Sequence, residues 1–428
     1  MQRVLFDAQE IQRRSVDDEF QACNLGGVTP PDSLRVAGLF AGIGGIEVGL
    51  HEAGASTELL CEWWEPAQAV LAERFPDVPL VGDVRELDHL PDVDLVAAGF
   101  PCTDLSQAGR TRGITGEASG LVAEVFRLLK DRRVPLLLLE NVRNMLVLDK
   151  GEAMRFLVDE LESLGYRWAY RLVDSRFTGV PQRRQRVIFL AALDLDPRSV
   201  LFADEAGEPD DDHYRDEAFG FYWTEGVRGL GWAKDALPTL KGGSTIGIPS
   251  PPAIWNPGGR AGVRIITPSI QDAEQMQGLA AGWTEPAAPM SRGEGTRWKL
   301  VGNAVTVGVS RWVGERLMSP GQPFLDGQPL ERQQRWPVAA YGAKGKAWAV
   351  DLSLWPRQER YLHLSDVVEM DQASPLSARA AAGFYSRTQK GSLRFVDQFI
   401  VDVAEHAALM AEELAAVASC RRCNRGWA

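Results

Sequence analysis

Four residues are the strongest candidates for chemistry in this chain: Cys102, Glu140, Arg184 and Arg186. Cys102 follows Leu95-Val96-Ala97-Ala98, an apolar run that reads as a buried parallel strand, and Gly99 and Pro101, which end regular structure. It therefore stands where a strand gives way to a loop, the edge at which open α/β sheets bind ligands. A Pro-Cys dipeptide alone also describes a small buried thiol. Glu140 ends a second apolar run, Val134 to Leu139, where a carboxylate is either structurally paired or functional. Arg184 and Arg186 lie in Gln182-Arg183-Arg184-Gln185-Arg186, which leads into the apolar strand Val187 to Leu190. Alternation puts both on one face, with Gln182 in line. Between Ser106 and Gly116, Arg110 and Arg112 sit among small residues and form a basic loop.

The elements that must position these residues alternate between strand and helix. Leu34 to Phe40 is a strand candidate, and Ala41-Gly42-Ile43-Gly44-Gly45 is the turn into a helix. Glycine there lets a ligand approach the backbone and aims helix N–H groups at its anionic part. The pattern is not G-x-G-x-x-G, so a dinucleotide site is not implied. A second strand ends at Glu62-Trp63, where a carboxylate can accept from both ribose hydroxyls and an indole can cover an adenine. A third ends at Gly82-Asp83-Val84, with Asp83 placed to meet an adenine amino group. Three successive strand ends thus suit an adenosine-bearing ligand. Leu121 to Lys130 has the apolar spacing of an amphipathic helix, and Gly151 to Leu164 is a further helix.

At 428 residues the chain can hold two or three domains. Its five scattered cysteines argue for a reducing compartment, and no apolar run is long enough to cross a membrane. A cytoplasmic protein is expected. Net charge is −12, but much of that acidity lies in one block around Asp210-Asp211-Asp212, while residues 101–190 carry a basic excess. No His/Cys cluster calls for a metal.

Taken in order, Phe40-Ala41-Gly42-Ile43-Gly44-Gly45, Glu62-Trp63, Gly99-Phe100-Pro101-Cys102, Glu140-Asn141-Val142, Gln182 to Arg186 and Gly302-Asn303-Ala304-Val305 resemble the motifs of the DNA cytosine-5 methyltransferase family. The match runs from about Leu34 to Leu317, with Arg264, Thr267-Pro268 and Gln277-Gly278 before the last motif. One departure is Thr103-Asp104-Leu105-Ser106, where the family commonly has Gln-x-Phe-Ser.

The resemblance implies an α/β fold: a doubly wound, Rossmann-like S-adenosylmethionine-dependent methyltransferase domain with a small inserted target-recognition domain and a C-terminal extension. The expected divisions are an N-terminal extension (1–33), the catalytic domain (34–191, completed by 296–319), the recognition domain (192–295) and the extension (331–428). It implies that Cys102 adds to carbon 6 of a flipped cytosine and that Glu140 holds the ring nitrogen and exocyclic amine. Arg184 and Arg186 would hold the ring carbonyl oxygen and the nucleophile's surroundings. Phe40, Gly42, Gly44, Glu62, Trp63, Asp83, Val84 and Asn303 would bind S-adenosylmethionine. Ser106, Arg110, Arg112, Lys241 and Gly243 would contact double-stranded DNA.

The setting so implied is a bacterial restriction-modification or phage-defence system, with a companion nuclease or defence subunits. Transfer RNA as substrate, or a silent DNA-binding subunit of the same fold, are the alternatives. Trp223, Trp232 and Trp255 are expected mostly to pack a small core. The acidic block reads as a solvated loop, or as a flap that competes with DNA phosphates. In the tail, Phe395, Phe399, Val403, Met410 and Leu414 mark an amphipathic helix, and the tail as a whole is expected to contact flanking DNA or a partner.

Overall fold

The computed structural model describes residues 33–100, 120–242, 251–323, 327–331 and 335–424. All but the last residue of the expected N-terminal extension, together with Cys102, Ser106, Arg110, Arg112 and Gly243, lie outside the described residues.

The first half alternates as its apolar runs dictate: β1 (Arg35–Leu39), α1 (Gly45–Glu52), β2 (Ser56–Cys61), α2 (Glu65–Arg74), β3 (Leu80–Val81), β4 (Leu95–Ala98), α3 (Leu121–Asp131), β5 (Leu136–Val142), α4 (Glu152–Ser163) and β6 (Arg167–Asp174). Then follow β7 (Gln182–Arg183), β8 (Gln185–Ala192), β9 (Phe219–Phe221), β10 (Ala233–Lys234), β11 (Leu237–Pro238), β12 (Ala253–Trp255) and β13 (Ile265–Thr267). The last part holds α5 (Ile270–Gln275), α6 (Gly295–Asn303), α7 (Val307–Met318), β14 (Gln328–Pro329), β15 (Ala339–Ala343), β16 (Lys346–Val350), β17 (Ser374–Pro375), α8 (Ala378–Thr388) and α9 (Asp397–Asn424).

Ten strands form one sheet in the order β14-β16-β15-β6-β8-β5-β4-β1-β2-β3. The run from β5 through β4, β1 and β2 to β3 is parallel, and β8 is antiparallel between β5 and β6. One face packs on α3 and α4 through Val125, Phe126, Leu157 and Leu161. The other packs on α1 and α7 through Leu50, Trp312 and Val313. Helices on both faces of a mixed sheet, parallel from β5 to β3 and antiparallel from β5 to β14, make this a doubly wound, Rossmann-like α/β fold.

A second sheet, β10-β9-β12-β13-β17, forms a small body of its own. Phe219, Trp232, Trp255 and Phe399 meet in its core, with Trp232 and Trp255 centroids 5.8 Å apart.

The structure departs from the sequence reading in the C-terminal part. Residues 335–424 do not form a separate extension but divide between the two sheets. β15 pairs with β6 and carries β16 and β14 with it, while β17 pairs with β13. α8 and α9 cover the small sheet through Phe384, Phe399 and Val403. The amphipathic stripe of α9 ends at Met410, because Leu414 is 63% exposed.

Asp210, Asp211 and Asp212 are exposed, as a solvated loop would be, with Asp211 2.9 Å from Lys234, while the upstream end of the acidic block is anchored. Asp204 accepts hydrogen bonds from Trp312, Arg316 and Arg357, and Glu205 stands 2.5 Å from the buried Arg171. These carboxylates join β6, α7 and the segment after β16. Among the described residues no helix is long and apolar enough to cross a membrane.

Candidate functional site

Glu140 and Asn141 project from the carboxyl end of β5, beside the end of β4, where Gly99 and Phe100 lead toward Cys102. Asn141 Nδ2 donates to the carbonyl of Phe100 (2.9 Å), and its Oδ1 accepts from the N–H of Val142 (2.9 Å). One side chain therefore fixes the chain two residues before Cys102. The sequence motif contained Asn141, but no periodicity marked it as a tie between strands.

β8 runs antiparallel to β5 with Arg186 opposite Val142, which brings the Arg186 guanidinium to Glu140. Arg186 Nε lies 2.7 Å from Glu140 Oε1, both side chains being 11% exposed. The pair is close but not aligned as a hydrogen bond, and Glu140 Oε1 has no hydrogen-bond donor among the described residues. The carboxylate is thus held by charge and retains acceptor capacity.

Arg184 is placed differently from expectation. The strand breaks at this residue, between β7 and β8, so simple alternation does not set its direction. Its side chain is buried, and its two Nη atoms donate to the carbonyls of Leu240, Gly302 and Ala304. Burial, with Arg186 nearby, drives its pKa well down from the ordinary arginine value. Gln182 does related work, donating to Met276 O and accepting from Leu240 N. Both side chains tie the segment that leads into β8 to the loop after β11 and, through Arg184, to the end of α6. Sequence gives no sign of this, because the partners are main-chain carbonyls far along the chain.

The ends of β1, β2 and β3 enclose a cavity of about 200 Å³ lined by Phe40, Cys61, Glu62, Trp63, Gly82, Asp83, Val84, Arg85 and Leu121. Five expected cofactor contacts, Phe40, Glu62, Trp63, Asp83 and Val84, are brought together here. Glu62 is 8% exposed, and its oxygens accept from the N–H groups of Gly42 (2.8 Å) and Trp64 (2.9 Å). Burial pushes its pKa up, and these backbone donors oppose that. Trp63, by contrast, is 73% exposed beside the cavity. Asp83 is gripped by Arg85, 2.5 Å away, which lowers its pKa. The sequence reading missed Arg85 and Leu121, although Arg85 lies two residues from Asp83.

Three expected cofactor residues stand outside the cavity lining. Gly42 reaches it only through its bond to Glu62. Gly44 has φ +83° and presses on Phe75, where an added Cβ would meet the ring at 2.5 Å. Asn303 is exposed at the end of α6, and a Cβ on Gly242 would meet its Oδ1 at 2.6 Å. Lys241 stacks over the Tyr222 ring at 3.7 Å and pairs with Glu225 at 3.1 Å.

C-5 cytosine-specific DNA methylases match residues 34–218. The Type II methyltransferase M2.BsuMI of Bacillus subtilis (strain 168) is 45% identical over 379 residues, covering 86% of this chain and 96% of that protein. The Type II methyltransferase M.BanI of Aneurinibacillus aneurinilyticus is 35% identical over 195 residues, 44% of this chain and 45% of that protein. Among solved structures, the S. pombe Dnmt2 methyltransferase aligns with a TM-score of 0.48 at 15% identity, over 66% of this chain and 98% of that one.

Proposed function

The chain belongs to the C-5 cytosine-specific DNA methylases and is a DNA (cytosine-5-)-methyltransferase; from that premise we propose how its own residues act on a flipped cytosine. The observation that carries the reading is Glu140 Oε1, buried beside Arg186 yet without a hydrogen-bond donor. A cytosine brought there offers its exocyclic amine as donor, and a protonated ring nitrogen adds a second. Inside a duplex those atoms are unreachable, so the base must leave the stack.

Cys102 is proposed as the nucleophile, acting as thiolate on carbon 6. That addition turns the ring into an enamine with a nucleophilic carbon 5. Glu140 and Arg186 stabilise the charge that develops on the ring. The tie from Asn141 to Phe100 supports this by fixing the chain just ahead of Cys102. Arg184 is a positioning residue: it holds strand, loop and helix together rather than the base. Loss of the carbon 5 proton and departure of the thiol complete the turnover.

The methyl donor proposed is S-adenosylmethionine. The cavity at the ends of β1 to β3 fits its adenosine part. Trp63 offers an exposed ring face for adenine, and Glu62, each oxygen having given one lone pair to a backbone N–H, keeps acceptor capacity for a ribose. When bound, it supplies an electrophilic methyl group.

The proposed setting is a cytoplasmic restriction-modification or phage-defence system in which methylation protects host DNA from a companion nuclease. The test uses purified protein and methyl-labelled cofactor on duplex DNA. Cys102→Ala is expected to abolish transfer while DNA and cofactor affinity stay within about threefold of wild type. Methyl transfer by that variant would sink the covalent route.

A further inference from the structure

The segment between β9 and β10, residues 222–231, is a tight loop held from two sides. Tyr222 N donates to Leu230 O, and Gly226 N to Gly229 O. On one side stands α8: Arg387 Nη2 donates to Trp223 O (2.6 Å) and Nε to Glu225 O (3.0 Å). Gly226, at φ +118°, lies over Phe384 and Thr388, and an added Cβ on Gly391 would meet Val227 O at 2.8 Å.

On the other side, Tyr222 Oη donates to Thr239 O, and Lys241 covers its ring. Thr239 Oγ1 bonds Arg183 O, and Leu240 is held by Gln182 and Arg184. The loop is therefore joined, through Thr239 and Leu240, to the Gln182 to Arg184 segment that leads into the strand carrying Arg186. At its tip Val227 is 40% exposed, and the neighbouring Arg228 is exposed with no hydrogen-bond or ion-pair partner among the described residues. On the near side of the tip, Arg387 takes the carbonyls of Trp223 and Glu225, and Lys241 pairs with the Glu225 carboxylate.

We propose that Arg387 sets sequence specificity by holding the 222–231 loop so that Arg228 meets a base pair of the DNA substrate. The proposal rests on the DNA reading above and extends it to residues of the C-terminal segment. An unpaired guanidinium on a rigid turn suits bidentate donation to a guanine edge, and rigidity keeps the fork aimed. Arg387 touches no substrate; it acts through the two carbonyls it holds.

The experiment uses the full chain in a host without cytosine methylation. Bisulfite sequencing gives the motif marked by wild type. Methylation rates are then measured on that duplex and on duplexes changed at one base. Arg228→Ala is expected to lower kcat/KM on the cognate duplex about 10- to 100-fold and to relax one position of the motif. Arg228→Lys keeps the charge but not the fork and is expected to relax the same position. Arg387→Ala is expected to relax that position too, with S-adenosylmethionine affinity unchanged, and Arg387→Lys to restore part of the discrimination.

Unchanged discrimination in Arg228→Ala overturns the proposal. So does a uniform loss on every duplex with a shallower salt dependence, which marks a phosphate contact. Relaxation in Arg228→Ala but not in Arg387→Ala overturns the role of Arg387. A wild-type chain that marks no DNA brings down the methylation reading itself, an outcome distinct from these.

Discussion

Glu140 and Glu47 are both buried carboxylates, and the fold treats them in opposite ways. Glu140 faces Arg186 at the sheet edge. Glu47 lies in the first turn of α1 with both oxygens lacking any hydrogen-bond donor among the described residues, close against Gly38, where an added Cβ would meet Oε1 at 2.1 Å. Burial, aided by the nearby Glu62, pushes its pKa from an ordinary 4.5 to about 7. Between those values the folded chain keeps a proton that the unfolded chain has released. Stability therefore falls as pH rises through this window, by up to about 3 kcal/mol at this site. Glu47→Gln is expected to flatten that slope and to raise the urea midpoint at pH 8 relative to wild type. Parallel pH profiles for the two proteins would contradict it. Glu140 was legible in the sequence because it ends an apolar run. Glu47 was not, because one acid in the first turn of a helix looks like a favourable dipole partner and its burial depends on what packs above.

Elements were legible wherever one face alone decides them. The apolar runs at β1, β4 and β5 and the stripe of α3 appear where the pattern put them. The break at Arg184 and the short strands β10, β11 and β17 were not visible, since a strand of two residues has no period to detect. Close approach of α1 to α7 was equally hidden. Gly45 and Gly49 bring the helices together, and a Cβ on Gly49 would meet Val307 O at 2.3 Å and Arg311 N at 2.6 Å. Backbone atoms cannot step aside as a side chain can. Gly49→Ala is expected to cost about 1–3 kcal/mol, read as a lower urea midpoint. It should also lower activity, because α7 directly follows the Gly302 to Val305 segment that Arg184 grips. A variant as stable and active as wild type would show that the helices part easily.

At the scale of the molecule, the C-terminal part is where sequence reading fell furthest short. Nothing local in Ala339 to Ala343 says that it pairs with β6, because pairing between distant strands leaves no spacing signal. Yet Trp336 packs edge-on against Trp168 and Tyr170, with centroids 5.9 and 6.2 Å away, and Tyr170 Oη donates to Pro337 O. Phe384 and Phe399 close the small sheet on Phe221. Removing residues 331–428 is therefore expected to uncover apolar surface on both sheets, not to trim an appendage. The truncated chain should move to the insoluble fraction or to large aggregates on size exclusion. A soluble, monodisperse truncation with wild-type thermal stability would refute this.

The pairing of β15 with β6 also sets an order of events during synthesis. β6 ends at Asp174 and its neighbour begins at Ala339, so the ribosome must deliver the whole intervening chain before that edge is closed. At translation rates of about 5–20 residues per second the wait is roughly 8–33 s. During it, Trp168 and Tyr170 lack their Trp336 cover, and the loop bearing Arg228 lacks the clamp of α8. The newborn chain is thus exposed to chaperones for longest where its later sequence is most needed, and the loop after β9 is held in place only once α8 has left the exit tunnel.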